Sequence, residues 1–188
     1  MAHPHRRCPA DDPGRREWQD PEAILSGIGL SVGDVFVDLG SGEGFFSLPA
    51  ARVVGEAGTV YALDIDAEAI ERLRASADRE GLGNVVAVAG PAEDHVLCEA
   101  CADFVFFGID LHDFRDAGKV LRNARMMVKP DGLLVDLDWK KQPMEMGPPP
   151  EMRFDEEKAA ALIRSAGFEV VSSVDQGPMH YIISAQPA

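Results

Sequence analysis

The chain has 188 residues, 46% of them hydrophobic, which predicts a single domain with a sizeable core. Its net charge of −14 argues against a nucleic-acid partner, because phosphate contacts need clustered Lys and Arg, and no apolar stretch approaches the roughly 18 residues of a membrane span. Three cysteines and a polar start without a signal-peptide core predict a protein of the reducing cytoplasm.

The predicted elements begin with a mobile tail over residues 1–16, followed by one domain over residues 17–188. Strand and helix patterns alternate along this domain, which indicates an α/β fold with a mostly parallel sheet. The predicted strands are Val35–Leu39, Thr59–Asp64, Asn84–Ala89, Ala102–Gly108, Leu133–Asp138, Phe168–Val174 and His180–Ala185. The predicted helices are Glu22–Gly27, Glu43–Val54, Ala67–Glu80, Glu93–Ala100, Phe114–Val128 and Asp155–Ala166. The link between the last two strands is too short for a parallel crossover, so those strands form an antiparallel hairpin.

A dense run of glycines follows the first strand. Asp38 ends the apolar stretch, and glycines stand at positions 40, 42 and 44. Glycines permit positive φ and a close approach of the backbone to a ligand, and a helix is predicted directly after them. Pro49 falls in the interior of that helix and predicts a kink. Strand, glycine loop and helix together indicate a nucleotide-binding corner.

The glycine spacing separates two classes of cofactor. Phe45 stands where a dinucleotide fingerprint G-x-G-x-x-G has its third glycine. The sequence instead has an acid followed by G-x-G-x-G at the end of the first strand. In this motif it resembles class I S-adenosylmethionine-dependent methyltransferases, and the resemblance covers about residues 18–185. The resemblance implies a three-layer Rossmann-like fold, with a mostly parallel seven-stranded sheet that ends in an antiparallel hairpin. It also implies S-adenosylmethionine as the cofactor and methyl transfer to a small-molecule acceptor.

The family's pattern assigns cofactor contacts to residues that follow the strands. Asp64 is predicted to bind the ribose, whereas Asp66 is the alternative acid and fits better as a helix cap. After the third strand, the Ala92 N–H and the Glu93 carboxylate are predicted to meet the adenine, although Glu93 fits equally well as a first-turn helix acid. The predicted cofactor-binding residues are Asp38, Gly40, Ser41, Gly42, Gly44, Asp64, Ile65, Ala92, Glu93 and Gly108.

Two residues after the fourth strand are the predicted catalytic groups. Asp110 lies beside the transferred methyl group in the family's layout, and His112 is the candidate general base. The alternative is that His112 is a loop histidine without a catalytic task, since histidine identity without geometry is weak evidence. An Asn/Asp-Pro-Pro-Tyr signature of amino-methylating members is absent from the sequence.

A proline-rich segment, Trp139–Phe154, leaves the fifth strand at the ligand end. Long loops of this kind are often functional. We expect Trp139, Lys140, Lys141 and Arg153 to contact the acceptor; the alternative is that the basic side chains are solvated. No metal site is predicted, and homo-oligomerisation is left open.

Other functions compete with methyl transfer to an organic molecule. Cys98 and Cys101 are predicted to be small buried hydrophobes, but an arsenite methyltransferase would use them as thiolates together with Cys8. A non-catalytic S-adenosylmethionine-binding partner subunit would show a decayed glycine loop, and this loop is intact. An aminopropyl transferase would require additional acidic residues to bind a polyamine. Asp110 and Asp113 are weak evidence for such a site.

Overall fold

The computed structural model describes residues 13–188. Its strands are β1 Val35–Leu39, β2 Thr59–Asp64, β3 Val85–Ala89, β4 Ala102–Gly108, β5 Val128–Trp139, β6 Phe168–Gln176 and β7 His180–Pro187. Its α-helices are α1 Pro13–Trp18, α2 Pro21–Gly27, α3 Ser47–Val54, α4 Ala67–Glu80, α5 Ala117–Met127 and α6 Glu156–Ser165. Two short 3₁₀ helices lie at Ala92–Asp94 and Leu111–Asp113.

The seven strands form one sheet in the order β3-β2-β1-β4-β5-β7-β6. Strands β1 to β5 are parallel, and β7 is antiparallel to both of its neighbours. The predicted α/β fold with a terminal antiparallel hairpin is therefore confirmed. Because the strand order reverses beside β1, the carboxyl ends of β1 and β4 border the crevice where such sheets bind ligands.

Different helices cover the two faces of the sheet. On one face, Leu25 of α2 and Val54 of α3 pack in one cluster with Phe36 of β1. On the other face, Val120 of α5 packs in a cluster that includes Val37 of β1 and residues of α6. Consecutive residues of β1 thus enter opposite cores, as the alternation of a strand requires. Because both faces of the sheet are covered by helices, its strands hold the loops at their carboxyl ends in fixed positions.

Helix α3 begins later than predicted, at Ser47 rather than Glu43. Gly42 and Gly44 have φ angles of 53° and 95°, which an α-helix does not contain. Pro49 consequently lies in the first turn of α3, where its missing N–H has no intrahelical partner to lose. The predicted kink was wrong for this reason.

Three further boundaries differ from the predictions. The helix expected at 93–100 is only the 3₁₀ turn Ala92–Asp94. Helix α5 is shorter than expected, because the Asp116 side chain caps its start by accepting a hydrogen bond from the Lys119 N–H. Strand β5 begins at Val128, directly after α5, and a register shift against β4 accommodates the Pro130–Gly132 stretch that predicted a stop. Asp66 caps α4, as predicted.

The predicted tail boundary at residue 16 falls inside α1. The rest of that tail, with Cys8, lies outside the described residues. Between residues 13 and 188, no helix has both the length and the apolar character needed to span a bilayer.

Candidate active site

The glycine loop is fastened to the end of β2. The N–H groups of Gly40 and Ser41 donate to the carbonyl of Leu63 at 2.8 and 3.0 Å, and the Gly42 N–H donates to the Asp64 carboxylate at 2.8 Å. Gly40 and Gly42 have φ angles of 82° and 53°, which residues with a side chain rarely adopt. The loop therefore needs glycine at these positions to make its turn.

Asp38, the acid that ends the apolar run of β1, is 1% exposed. Its Oδ2 accepts a hydrogen bond from the Ser47 hydroxyl at 2.5 Å. Burial raises the pKa of Asp38 to about 7, although the Ser47 hydrogen bond and the charge of Arg15 act to lower it. A cation placed beside this carboxyl would favour its ionised form.

Asp64 lies at the carboxyl end of β2, as predicted. Its Oδ2 accepts the Gly42 N–H and its Oδ1 accepts the Asp66 N–H, both at 2.8 Å. A carboxylate offers roughly four lone-pair sites, so Asp64 retains capacity for ribose hydroxyls, a contact that stays a prediction. The neighbouring Ile65 is 75% exposed, and its apolar surface is where we predicted the adenine ring.

The turn after β3 is ordered by side chains and backbone of α5. Asn123 donates from Nδ2 to the carbonyls of Ala92 and Glu93 at 2.9 Å each. Glu93 is 5% exposed, and its Oε1 accepts the N–H of Asp116 at 3.2 Å. This directs the Glu93 carboxylate to the start of α5, and its contact with adenine stays a prediction.

The Asp110 carboxylate lies directly over the glycine loop. A Cβ atom on Gly40 would come within 1.8 Å of Asp110 Oδ2, and neither Asp110 oxygen has a hydrogen-bond partner among the described residues. Burial, followed by the charges of Asp38 and Asp138, raises the pKa of Asp110 well above its ordinary 3.8. Ile109 has a φ of 70°, which is a costly conformation for a β-branched residue. This conformation sets the direction of the backbone that leads into Asp110.

These groups fit the methionine end of S-adenosylmethionine, which carries positive charge. Asp38 and Asp110 are buried carboxyls that disfavour each other's ionisation, and a bound cation relieves that cost. The Ser41 hydroxyl is also buried without a hydrogen-bond partner in the described part of the chain. Gly40 and Gly42 keep side chains out of the approach to the loop.

His112 and Asp138 form a buried pair beside this site. Nδ1 of His112 lies 2.8 Å from Oδ1 and 2.9 Å from Oδ2 of Asp138, and the two side chains are 1% and 0% exposed. Burial acts to lower the pKa of His112, but the hydrogen bond and charge of Asp138, assisted by Asp113, raise it overall. A carboxylate beside Nδ1 selects the neutral tautomer whose lone pair is on Nε2.

Nε2 of His112 has no hydrogen-bond partner within residues 13–188. Oδ1 of Asp113 lies 3.4 Å from this nitrogen, and the Asp113 side chain is 40% exposed. Asp113 can therefore stabilise a protonated imidazole. This arrangement is suited to accepting a proton at Nε2.

A second buried acid, Asp136, lies on the same face of β5 as Asp138. It is 0% exposed, and neither of its oxygens has a hydrogen-bond partner among the described residues. Tyr181, opposite Asp138 on β7, also has an unpartnered hydroxyl. Burial and then the charge of Asp138 raise the pKa of Asp136 well above 3.8. A layer of polar groups therefore extends inward from the His112 pair.

The proline-rich segment after β5 is wrapped around Arg153. This side chain is 1% exposed, and its guanidinium donates to the carbonyls of Pro148 at 2.7 Å and of Lys140, Gln142 and Met146 at 3.0 Å each. These four bonds hold the segment together. The acceptor contact of Arg153 stays a prediction, while the partners just named belong to the segment itself.

Trp139 is enclosed by other parts of the chain. It is 4% exposed, and a Cβ atom on Gly147 would come within 2.9 Å of its ring. The ring centroids of His180 and Trp18 lie 4.3 and 5.4 Å from that of Trp139. Trp139 thus joins α1, β7 and the proline-rich segment, and its stacking on an acceptor stays a prediction.

The two predicted lysines are oriented to neighbouring elements. Lys140 Nζ lies 2.8 Å from an Asp175 carboxylate oxygen and donates to the Gly177 carbonyl at 3.2 Å. Lys141 Nζ lies 3.7 Å from Asp155 and is 40% exposed. Their contacts with an acceptor stay predictions.

Three residues beside the site were missed from the sequence. Asp136 and Asp138 alternate at the end of β5, a pattern that places both carboxylates on one face of the strand. His95 packs its ring over Gly90, where a Cβ atom would approach within 2.3 Å of Cε1. Of these, only the Asp-x-Asp pattern was visible in the sequence as a signal.

Cys98 and Cys101 are joined by a disulfide in the structure. Both pack against the core cluster that contains α5 and α6, but they are only partly buried, whereas full burial was predicted. Their covalent bond was not predicted. Cys101 directly precedes β4 and so lies at the amino-terminal end of the parallel strands, whereas the glycine loop lies at their carboxyl end. The pair is therefore distant from the proposed point of methyl transfer.

Comparisons with known proteins agree on one family. A family model described as a methyltransferase domain matches residues 30–176. Among solved structures, the chain is similar to an S-adenosylmethionine-dependent methyltransferase from Aquifex aeolicus, with a TM-score of 0.89 and 31% identity over 95% of each chain.

Curated relatives match over shorter stretches. A probable cobalt-precorrin-6B C(15)-methyltransferase (decarboxylating) of Sulfurisphaera tokodaii is 39% identical over 43% of this chain. A ubiquinone/menaquinone biosynthesis C-methyltransferase of Haemophilus ducreyi is 32% identical over 60% of it. Each match covers 44% of the relative's own length.

Proposed function

Because the chain belongs to the methyltransferase domain family and is an S-adenosylmethionine-dependent methyltransferase, we propose that it methylates a small-molecule acceptor and that His112 is the general base. The observation that carries the proposal is the His112–Asp138 pair, with Nδ1 at 2.8 Å from the carboxylate and Nε2 without a hydrogen-bond partner among the described residues. A purely structural histidine usually has both ring nitrogens satisfied when it is buried.

S-adenosylmethionine supplies the electrophilic methyl group, so the protein's task is alignment, exclusion of water and removal of a proton. Asp138 holds the imidazole of His112 with the lone pair on Nε2. Nε2 accepts a proton from the acceptor, and the Asp138 and Asp113 carboxylates stabilise the resulting imidazolium. Asp110, over Gly40, supplies negative charge next to the cofactor's methionine end.

The proposed cofactor contacts follow the observed loops. Asp38 and Asp110 face the methionine end, and Asp64 faces the ribose. Ile65 and the Ala92–Glu93 turn form the adenine side. Among the predicted cofactor-binding residues, those of the glycine loop are joined to the end of β2, including Asp64, by hydrogen bonds. Gly108 lies at the end of the neighbouring strand β4.

Three observations support a small molecule that is activated by loss of a proton. A base held in one tautomer serves acceptors such as enols or phenols, which react through oxygen or carbon only when deprotonated. The two curated relatives are named as C-methyltransferases. The acidic groups at the site, with the net charge of −14, disfavour a nucleic-acid acceptor.

The arsenite alternative gains no support from the geometry. Its thiolates would have to lie at the site of methyl transfer, whereas Cys98 and Cys101 lie at the opposite edge of the sheet in a disulfide. Cys8 lies outside the described residues.

Methyl-labelled S-adenosylmethionine tests the acceptor class. The full-length protein is incubated with the labelled cofactor and a total extract of its source cells, and the products are separated by ultrafiltration. We expect the filtrate to contain a labelled small molecule other than the cofactor, and this product should be missing when the protein is left out. Label found only in retained protein or nucleic acid would contradict the proposal.

A further inference from the structure

Residues 92–101 run from the carboxyl ends of the parallel strands to their amino ends. The segment begins with the turn Ala92–Asp94, which follows β3, and ends at Cys101, directly before β4. At this far end, a disulfide joins Cys98 to Cys101. The disulfide therefore lies on the same short stretch of chain as the turn that forms the proposed adenine side of the cofactor site.

Few hydrogen bonds hold the middle of this segment. Among residues 96–99, the only backbone N–H with a partner in the described part of the chain is that of Leu97, which donates to the Met127 sulfur at 3.2 Å. A thioether is a weak acceptor. The Cys101 N–H donates to the Met127 carbonyl at 2.9 Å. Cys101 is thus fastened to the end of α5, and the disulfide ties Cys98 to it.

His95 joins this segment to the turn after β3. Its Nδ1 lies 2.8 Å from the carbonyl oxygen of Pro91, and a Cβ atom on Gly90 would come within 2.3 Å of its Cε1. His95 stands only three residues before Cys98. A displacement of Cys98 away from Cys101 therefore acts on the imidazole that packs on the turn.

The disulfide is accessible to a reducing agent. Both cysteines are only partly buried, and Glu99 and Ala100 between them are exposed. Exposed disulfides are the ones that are easily reduced and that serve regulation. A ring with two residues between its cysteines also restricts the unfolded chain less than a long loop does, so it contributes less stability. Both properties are typical of a reversible bond rather than a structural one.

We propose that Cys98 and Cys101 form a reversible redox site, and that reduction of their disulfide weakens cofactor binding by releasing the segment that carries His95. The effect on the cofactor rests on the proposed adenine contacts, whereas the redox chemistry is independent of them.

The co-reactant of this site is a dithiol. One of its thiolates attacks a sulfur of the Cys98–Cys101 bond, which breaks as a mixed disulfide forms. The second thiolate of the reagent then cleaves the mixed disulfide. The reagent leaves as a disulfide, and the two cysteines become thiols after gaining two electrons and two protons in total.

Alkylation followed by mass spectrometry tests the redox site. The full-length protein is treated under native conditions with dithiothreitol and then reoxidised with glutathione disulfide, and each sample is freed of reagent and alkylated in denaturant. We expect Cys98 and Cys101 both to become alkylated after reduction and both to be protected again after reoxidation. A bond that dithiothreitol does not open in the folded protein, or that does not form again, would overturn the proposal.

Calorimetric titration of both redox states with S-adenosylhomocysteine tests the effect on the cofactor. We expect the reduced wild type to bind at least about 5-fold more weakly than the oxidised wild type, the lower end of ordinary coupling between two sites. The double variant Cys98→Ser/Cys101→Ser should bind like the reduced wild type, with or without dithiothreitol. Cys8→Ser is the matched control and should change affinity on reduction as the wild type does.

Equal affinities of the oxidised and reduced wild type would overturn the effect on the cofactor. Loss of the folded state on reduction, measured by circular dichroism, would overturn the proposal as well, since the bond would then be structural. If the double variant does not fold, reduction of the wild type decides between the same outcomes. A wild type that binds no S-adenosylhomocysteine in either state would contradict the proposed cofactor contacts, whereas alkylation still shows whether the redox site exists.

Discussion

Nδ1 of His112 lies 2.8 Å from Oδ1 of Asp138, and both side chains are almost fully excluded from solvent. A buried carboxylate in this position fixes which ring nitrogen carries the proton. The pair joins the loop after β4, which also carries Asp110, to the end of β5. The contact therefore holds the ring of His112 in the orientation that the proposed general base requires.

The tautomer of His112 is a direct consequence of this pair. Nitrogen NMR of protein labelled at histidine should show the neutral His112 ring with its proton on Nδ1. Asp138→Asn should lose this selection, because an amide can donate to the ring as well as accept from it, and methyl transfer should fall with it. A neutral ring protonated on Nε2 in the wild type would contradict the assignment.

The rate of methyl transfer should depend on the protonation of His112. Its pKa is raised overall, so the base form is reached only at pH values above the ordinary 6.5. We expect kcat/KM to rise with pH through that raised pKa and then level off. In Asp138→Asn, the rise should move to lower pH, because burial then acts without the opposing carboxylate. An unmoved profile in that variant would contradict the role of the pair.

Asp136 should reduce the stability of the fold at neutral pH. Its folded pKa is raised above the ordinary 3.8, so the folded state loses stability as the pH rises from about 4 towards that raised value. Asp136→Asn removes this cost, and its melting temperature should exceed that of the wild type by a few degrees at pH 7, at about 2–4 °C per kcal/mol. The difference should shrink towards pH 4 in thermal melts. A variant that melts lower than the wild type at every pH would show that Asp136 stabilises the fold.

Gly40 should not tolerate a side chain. In Gly40→Ala, the new Cβ would lie 1.8 Å from Asp110 Oδ2 at a φ of 82°, so the loop or Asp110 must move. We expect binding of S-adenosylhomocysteine to be lost in calorimetry. Gly27→Ala is the matched control, because its Cβ would meet nothing within 4 Å, and it should bind as the wild type does. Normal binding by Gly40→Ala would contradict the close contact.

The sequence predicted the parts of the site that depend on local pattern. The acid and glycines after β1, Asp64 at the end of β2 and the terminal hairpin follow from spacing along the chain, and they were sufficient for the family, the cofactor and the fold, all of which are confirmed. The start of α3 was missed because the φ angles of Gly42 and Gly44 are set by the contacts of the loop with β2.

Pairings over long separations were beyond the sequence. Asp138 is 26 residues from His112, and only the packing of β4 against β5 brings them together. Arg153 shows the opposite case, since a basic residue in a loop suggested an anionic acceptor while its guanidinium is engaged by four carbonyls of its own segment. Composition gives the charge of such a residue but not the partner that uses it.

Transfer of a labelled methyl group by the wild type and by His112→Gln, on the acceptor recovered from the filtrate, tests the central claim most directly. We predict that turnover falls by roughly 10²- to 10⁴-fold, the usual contribution of a general base, while calorimetry shows unchanged binding of S-adenosylhomocysteine. Turnover of His112→Gln at the wild-type rate would contradict the proposal that His112 removes the acceptor's proton.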